Sequence, residues 1–178
     1  MAHVQVQTPL QPSERPSPIR IKKLGHVVIQ VRNLERSVRF YTEVLNFRVS
    51  DNASAGGVFL TAVGDHHTIG LFPSDGDNAE IPAEGAVRLH HVAFQVGSLE
   101  ELFDIRAYLQ ERAVPIVWEG RRAMGGHTSV EFLDPDGYQL EVFCDMDQIG
   151  PDGRSRPRSN ARYDTLEKAR DNPKPPTW

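Results

Sequence analysis

An α+β fold made of two βαβββ modules follows from three features of the chain. These are a gapless internal repeat, strand alternation followed by helical spacing in each copy, and three further β-rich runs after each helix. Leu24 to Glu35 align on Leu89 to Glu100, and seven of the twelve pairs are identical. A repeat of this closeness predicts two equivalent units. Each copy opens as a strand: Val27, Ile29 and Val31 alternate with His26, Val28 and Gln30, and Val92, Phe94 and Val96 alternate with His91, Ala93 and Gln95. One face is apolar and the other carries histidine.

Helices follow, begun by Asn33 in the first copy and by Ser98 with Glu101 in the second. Their apolar sets, Leu34, Val38, Tyr41, Leu45 and Leu99, Leu102, Phe103, Leu109, recur at helical spacing and predict packing on the apolar strand faces. Short strands are then expected near 47–50, 58–63 and 68–72, and near 115–118, 129–133 and 138–143. Asp134-Pro135-Asp136-Gly137 supplies a tight turn before the last of them. With helices on one face only, the two units are expected to form a curled, half-open mixed β-sheet with helices outside and a concave site within. His26 and His91, 65 residues apart at equivalent positions, are expected to face each other across it.

Composition bounds the possibilities. The 178 residues suffice for one domain, and 39% apolar with 25% charged residues describe a globular chain. A net charge of −4 with no sustained basic block argues against nucleic acid as a partner. No apolar stretch is long enough to cross a bilayer and no signal-peptide core precedes the repeat, so the cytoplasm is the expected location. The lone Cys144 fits a small packed thiol in a reducing compartment. Residues 1–20, rich in Gln, Pro and Ser, read as a flexible arm, 21–146 as the domain with modules at 22–73 and 88–146, and 147–178 as a Pro- and Arg-rich tail over the surface. Within that tail Asp164 and Glu167 have capping-box spacing for one short helix.

In the last strand Gln139, Glu141 and Phe143 alternate with the core side chains, which puts Glu141 on the histidine face. Two imidazoles and a carboxylate with open positions form the 2-His-1-carboxylate set that suits Fe(II) oxygenases and also Mn(II). His26, His91 and Glu141 are therefore the candidate metal ligands. The competing reading, duplicated structural histidines and a solvated edge carboxylate, leaves three polar groups aimed into one cavity without partners.

These residues resemble the vicinal oxygen chelate superfamily, which includes glyoxalase I, extradiol catechol dioxygenases, fosfomycin resistance proteins and bleomycin-binding proteins. The resemblance spans residues 22–145 and is carried by Gly25-His26-Val27-Val28-Ile29-Gln30-Val31, by Phe40-Tyr41 through Asn46-Phe47, by His91-Val92-Ala93-Phe94-Gln95-Val96 and by Asp134 through Phe143. Asp65-His66-His67-Thr68 looks like the His-His-Thr segment of type I extradiol dioxygenases. That likeness implies an acid/base role for His67, a group suited to take a proton from a catechol and return it to an oxygen intermediate. Read without that likeness, His66 and His67 are exposed residues after a Gly-Asp turn, and His66 and His90 keep that reading.

Two departures stand out. Glu131 occupies the place of a substrate-binding tyrosine of the dioxygenases and Arg122 the place of a histidine, while His127 in a Gly-rich loop offers a substitute imidazole. Arg122, His127 and Glu131 are thus expected on the substrate side, although Glu131 reads equally well as a solvated strand position. Glyoxalase I needs a fourth ligand where this chain has Gly70. The resemblance implies a metal-dependent dioxygenase that uses Fe(II) or Mn(II) and O2 on a catechol-like or other vicinal-oxygen substrate, in a homodimer. A thiol transferase of the fosfomycin-resistance type and a metal-free small-molecule binder are the alternatives. Selectivity lies in loops 51–57, 73–88 and 119–127.

Overall fold

The computed structural model describes residues 18–76, 78–83, 85–150 and 161–174. The first module contains β1 (Val27–Val31), α1 (Leu34–Arg39) running into a π-helical turn at Phe40–Val44, then β2 (Arg48–Asn52), β3 (Val58–Thr61) and β4 (Ile69–Pro73). The second contains β5 (His91–Gln95), α2 (Leu99–Glu111), β6 (Ile116–Arg121), β7 (Thr128–Leu133) and β8 (Gln139–Cys144), and a third helix, α3 (Leu166–Asp171), follows. Asn33 caps α1 by accepting from the Arg36 amide, and Ser98 caps α2 by accepting from Glu101. Glu101 reaches back to the Gly97 amide, one residue earlier than a reciprocal capping box requires.

The strands form two four-stranded sheets, ordered β1-β4-β3-β2 and β5-β8-β7-β6. In each, the first strand runs parallel to the last and the other pairings are antiparallel. This corrects the expectation of a single curled, half-open sheet: neither sheet closes, and each keeps its own pair of edge strands. The physical reason lies in how the modules meet. They dock through side chains of α1 and the turn before β8 rather than through strand hydrogen bonds, so nothing bends the two sheets into one surface.

That docking centres on Asp134-Pro135-Asp136-Gly137. Gly137 adopts φ +83°, which lets its amide return to the Asp134 carbonyl at 3.0 Å and close the turn. Asp134 accepts from the amides of Asp136 and Tyr138 with one oxygen and from the Tyr41 hydroxyl with the other. Asp136 accepts from Arg32 Nε at 2.9 Å, Arg36 Nη2 at 2.6 Å and Ser37 Oγ at 3.1 Å. Two buried carboxylates of one module are therefore satisfied by the turn's own amides and by side chains of residues 32–41 of the other. The Tyr138 hydroxyl also donates to the Gln30 carbonyl at 3.0 Å.

Around this seam runs one apolar cluster. Ile29, Val31, Tyr41, Phe47, Leu60, Ile69 and Leu71 pack in the first module and Leu102, Leu109, Val130, Phe132, Leu140 and Val142 in the second. Phe47 meets Phe94 edge-on at 5.5 Å and joins the two halves. The opposite parity of β1 and β5 is exposed, including Val28 and His91. Cys144 is buried, and burial first, then the neighbouring Asp145 charge, pushes its thiol up to about 12.

Outside the modules, the expected short helix of the tail is α3, and 161–174 lies over the surface with one buried edge. Leu166 and Ala169 are fully buried, and α3 packs against α2, β6 and β7. Its N-cap is Thr165, one residue after the predicted Asp164. Apart from 18–20, the N-terminal arm lies outside the described residues, as do 151–160 and 175–178 of the tail.

Asp136→Ala leaves two arginines without their acceptor. Because those arginines keep partial exposure, the loss of unfolding free energy is expected near the low end for broken buried pairs, about 2 to 3 kcal/mol in urea denaturation. A change below about 0.5 kcal/mol, the scale of ordinary surface substitutions, would show that the seam does not depend on this carboxylate. Cys144, protonated and enclosed, is expected to resist iodoacetamide at pH 8 until urea unfolds the chain. Rapid labelling of folded protein would contradict that burial.

Candidate functional site

The site is built on the face of the second sheet that α2 leaves uncovered. Parallel pairing sets His91 beside Gln139 and Ala93 beside Glu141, while antiparallel pairing sets Glu131 directly opposite Glu141. Strand parity brings Ser129, Glu131, Gln139, Glu141 and His91 to one surface. Glu131 and Glu141 are both buried on it.

Two facing carboxylates persist there because each has its own partners. Glu141 lies 3.2 Å from His91 Nε2 through one oxygen and 3.1 Å from His127 Nε2 through the other. Glu131 pairs with Arg122 and accepts from Gln139 Nε2 at 2.6 Å. The Arg122 guanidinium also lies over the Trp118 indole at 3.7 Å. Burial pushes the Glu141 carboxyl up, but polar contact with His127 and Ser129 and the charges of His127 and His91 outweigh it, leaving the group below its ordinary value.

The first module presents a separate group. His26, just before β1, meets the His67 ring at a tilt, with centroids 4.3 Å apart, and His67 in turn meets the Phe59 ring at 4.6 Å. His66 and His67 approach through their Nδ1 atoms at 2.9 Å, and His90 and His91 do the same at 2.7 Å. Desolvation, followed by the nearby His26 and His66, lowers the His67 pKa, which favours the neutral imidazole. The counterpart of Glu141 is Gly70, paired with Val28 as Glu141 is with Ala93. An added Cβ at Gly70 would lie 3.2 Å from both Phe59 and Val28, so apolar groups fill the place of a fourth ligand.

Of the expected site residues, His91, Glu131 and Glu141 lie on strands of the second sheet with Arg122 and His127 at the strand ends beside them, while His26 and His67 lie next to strands of the first. Among the described residues no three His, Cys, Asp or Glu side chains converge as a metal-holding group. The second sheet nevertheless has unused capacity: Glu141 Oε1, His127 Nδ1 and Ser129 Oγ are buried without a hydrogen bond of good geometry. His91 and Glu141 are donor types that a divalent ion accepts, and among the described residues His26 stands apart from them on the first module. Gln139 was not among the expected residues. Its parity with Glu141 in the alternation of β8 is the signal that identifies it.

Between the modules lies a cleft of about 670 Å³, lined by Val28 and Gln30 of β1, by Tyr138 and Gln139, and by Ile81 and Leu89 of the connector. Its size suits a one- or two-ring small molecule. Gln139 links this cleft to Glu131.

Comparison with known proteins is consistent with this architecture. Residues 23–142 match the Glyoxalase/Bleomycin resistance protein/Dioxygenase superfamily. A manganese-dependent 2,3-dihydroxybiphenyl 1,2-dioxygenase of Geobacillus genomosp. 3 is 29% identical over 80% of this chain and 43% of its own length. A glutathione transferase FosA of Serratia marcescens is 30% identical over 68% of this chain and 80% of its own. Among solved structures, an integron cassette protein from the mobile metagenome of the Halifax Harbour sewage outfall superimposes with a TM-score of 0.57 at 26% identity, over 70% of this chain and 99% of that one. The chain spans less than two thirds of the length of the first dioxygenases it matches.

The two-sided hold on Glu141 has a measurable consequence in metal-free protein. A depressed carboxyl adds stability that is present above the unfolded value, near 4.5, and is lost as pH falls through the folded one. His127→Ala removes part of the lowering influence, so the Glu141 midpoint in a carboxyl NMR titration is expected to rise. An unchanged midpoint would mean that His127 does not act on this carboxylate.

Proposed function

The chain belongs to the Glyoxalase/Bleomycin resistance protein/Dioxygenase superfamily, and on that premise we propose that it is a metal-dependent dioxygenase that opens a catechol-like or other vicinal-oxygen small molecule with O2. The observation that carries this reading is the buried Glu141 with His91 at 3.2 Å, on the face opposite the core, while the repeat gives the other module an equivalent, exposed His26. The manganese-dependent dioxygenase among the relatives supports the same chemistry. Fe(II) is the proposed cofactor, with Mn(II) as the substitute the same donor set accepts.

His26 does not join His91 and Glu141 within one chain, so the reading includes a cytoplasmic homodimer in which the third ligand is His26 of the partner subunit. The open edges of β1 and β5 and the exposed histidine faces support pairing of this kind. When bound, the cation supplies the positive charge that lets a diol lose its protons. His67, whose pKa its surroundings lower, would accept one of those protons. Arg122, His127 and Glu131 line the substrate side, and Gln139 fixes the orientation of Glu131.

A thiol transferase is the second reading, because the Serratia FosA is matched over 80% of its length whereas the Geobacillus dioxygenase is matched over less than half. Protein purified without oxygen decides between them. Bound iron, O2 uptake and a yellow product from a catechol panel are expected. Thiol-dependent consumption of an epoxide without O2 uptake would transfer the assignment to the second reading.

The shared site has its own test. His26→Ala and Glu141→Ala homodimers are each expected to lose Mn(II) affinity by more than about 100-fold, since outer partners alone cost ten- to hundred-fold. Mixed dimers of the two variants keep one intact site and regain Mn(II) binding. If mixing restores nothing, the ligands do not come from two chains.

A further inference from the structure

The C-terminal segment reaches the site wall through a continuous set of contacts. Arg121 and Arg122, adjacent at the end of β6, are engaged on opposite sides. Arg121 donates to the Asn172 carbonyl at 2.6 Å and the Ala169 carbonyl at 2.5 Å, where it satisfies the end of α3. Arg122 holds Glu131 on the site face. Between them, Trp118 donates its indole N–H to Asp164 Oδ1 at 3.2 Å, and Arg162 orients that carboxylate at 2.7 Å. The Trp118 ring is also the platform on which the Arg122 guanidinium rests.

The segment is anchored at several points. Tyr163 and Arg121 form an antiparallel bridge, and Gly120 at φ +133° makes room for it, since an added Cβ there would run into the Tyr163 carbonyl. Leu166 and Ala169 are buried beneath, and Lys174 ties the far end to Asp147 at 3.0 Å. A strap that only covered the core would not need the Trp118–Asp164 contact, which lies at its exposed edge.

We propose that residues 161–174 form a positioning strap for the substrate wall: Asp164 fixes Trp118, Trp118 supports the Arg122 guanidinium, and Arg122 neutralises Glu131 directly opposite Glu141. Trp118 and Asp164 are positioning residues in this scheme. Without the strap, Arg122 loses its platform, and Glu131 faces Glu141 with its charge no longer held. The coupling is a property of the apoprotein, and only its effect on substrate rests on the dioxygenase reading.

Asp164→Ala and Asp164→Asn test the chain of contacts, because the Asn oxygen still accepts from Trp118 while alanine cannot. A Trp178→Phe background leaves Trp118 as the sole indole. In Asp164→Ala the Trp118 emission is expected to shift to the red, and the exchange-protected Arg122 guanidinium signal in ¹⁵N NMR, assigned with Arg122→Lys, is expected to disappear. Asp164→Asn is expected to retain both. For Mn(II)-loaded protein under anaerobic conditions, the catechol Kd is expected to rise about five-fold in Asp164→Ala while the Mn(II) Kd changes less than about two-fold, a loss on the scale of one hydrogen bond. An Arg122 signal that persists in Asp164→Ala, or that is lost equally in Asp164→Asn, would overturn the strap. Absence of catechol binding by the background protein would count against the dioxygenase reading, and the guanidinium signal would still decide the strap.

Discussion

The arrangement of the two modules depends on one pair of buried carboxylates, Asp134 and Asp136, seated against α1. Burying two acidic groups at a seam costs free energy unless their oxygens find donors, and beyond the turn's own amides those donors come from the other module: Tyr41, Arg32, Arg36 and Ser37. The turn therefore has one satisfactory seat. Its position fixes where β8 starts, and β8 carries both Gln139 and Glu141. The location of the candidate ligands follows from a contact made well away from them.

Much of this was legible in the chain. Alternation in β5 and β8 set the face of the second sheet on which His91, Glu141 and Gln139 lie, because a period of two admits only two choices and the core takes one. Asn33 and Ser98 marked the helix starts for a local reason, the need of a first-turn amide for an acceptor. The relation between the sheets was not legible. Equivalence in a repeat fixes each module internally, but the contact between modules is set by side chains such as Asp136 and Tyr138 that are not part of the repeated segment. The expectation of one curled sheet treated pairing between the modules as given, and the edges of β1 and β5 remain open instead.

Long-range closure was likewise hidden. The C-terminal helix has an ordinary local signature, whereas its burial arises from Arg121 and Gly120, some fifty residues earlier, meeting carbonyls that composition cannot locate. The roles expected for Arg122 and Glu131 on the substrate side were read from position alone. The structure adds that each is the other's counter-ion, so the pair carries no net charge beside Glu141.

Gly70 shows how the duplicated halves have diverged. The same register that gives one module a carboxylate gives the other a bare backbone, and the space beside it is occupied by the Phe59 ring and the Val28 methyl. A glutamate at position 70 would have to displace an aromatic ring that also meets His67. Position 70 and the His67 imidazole are linked by a shared neighbour, so whatever enlarges one side of the Phe59 ring is felt on the other.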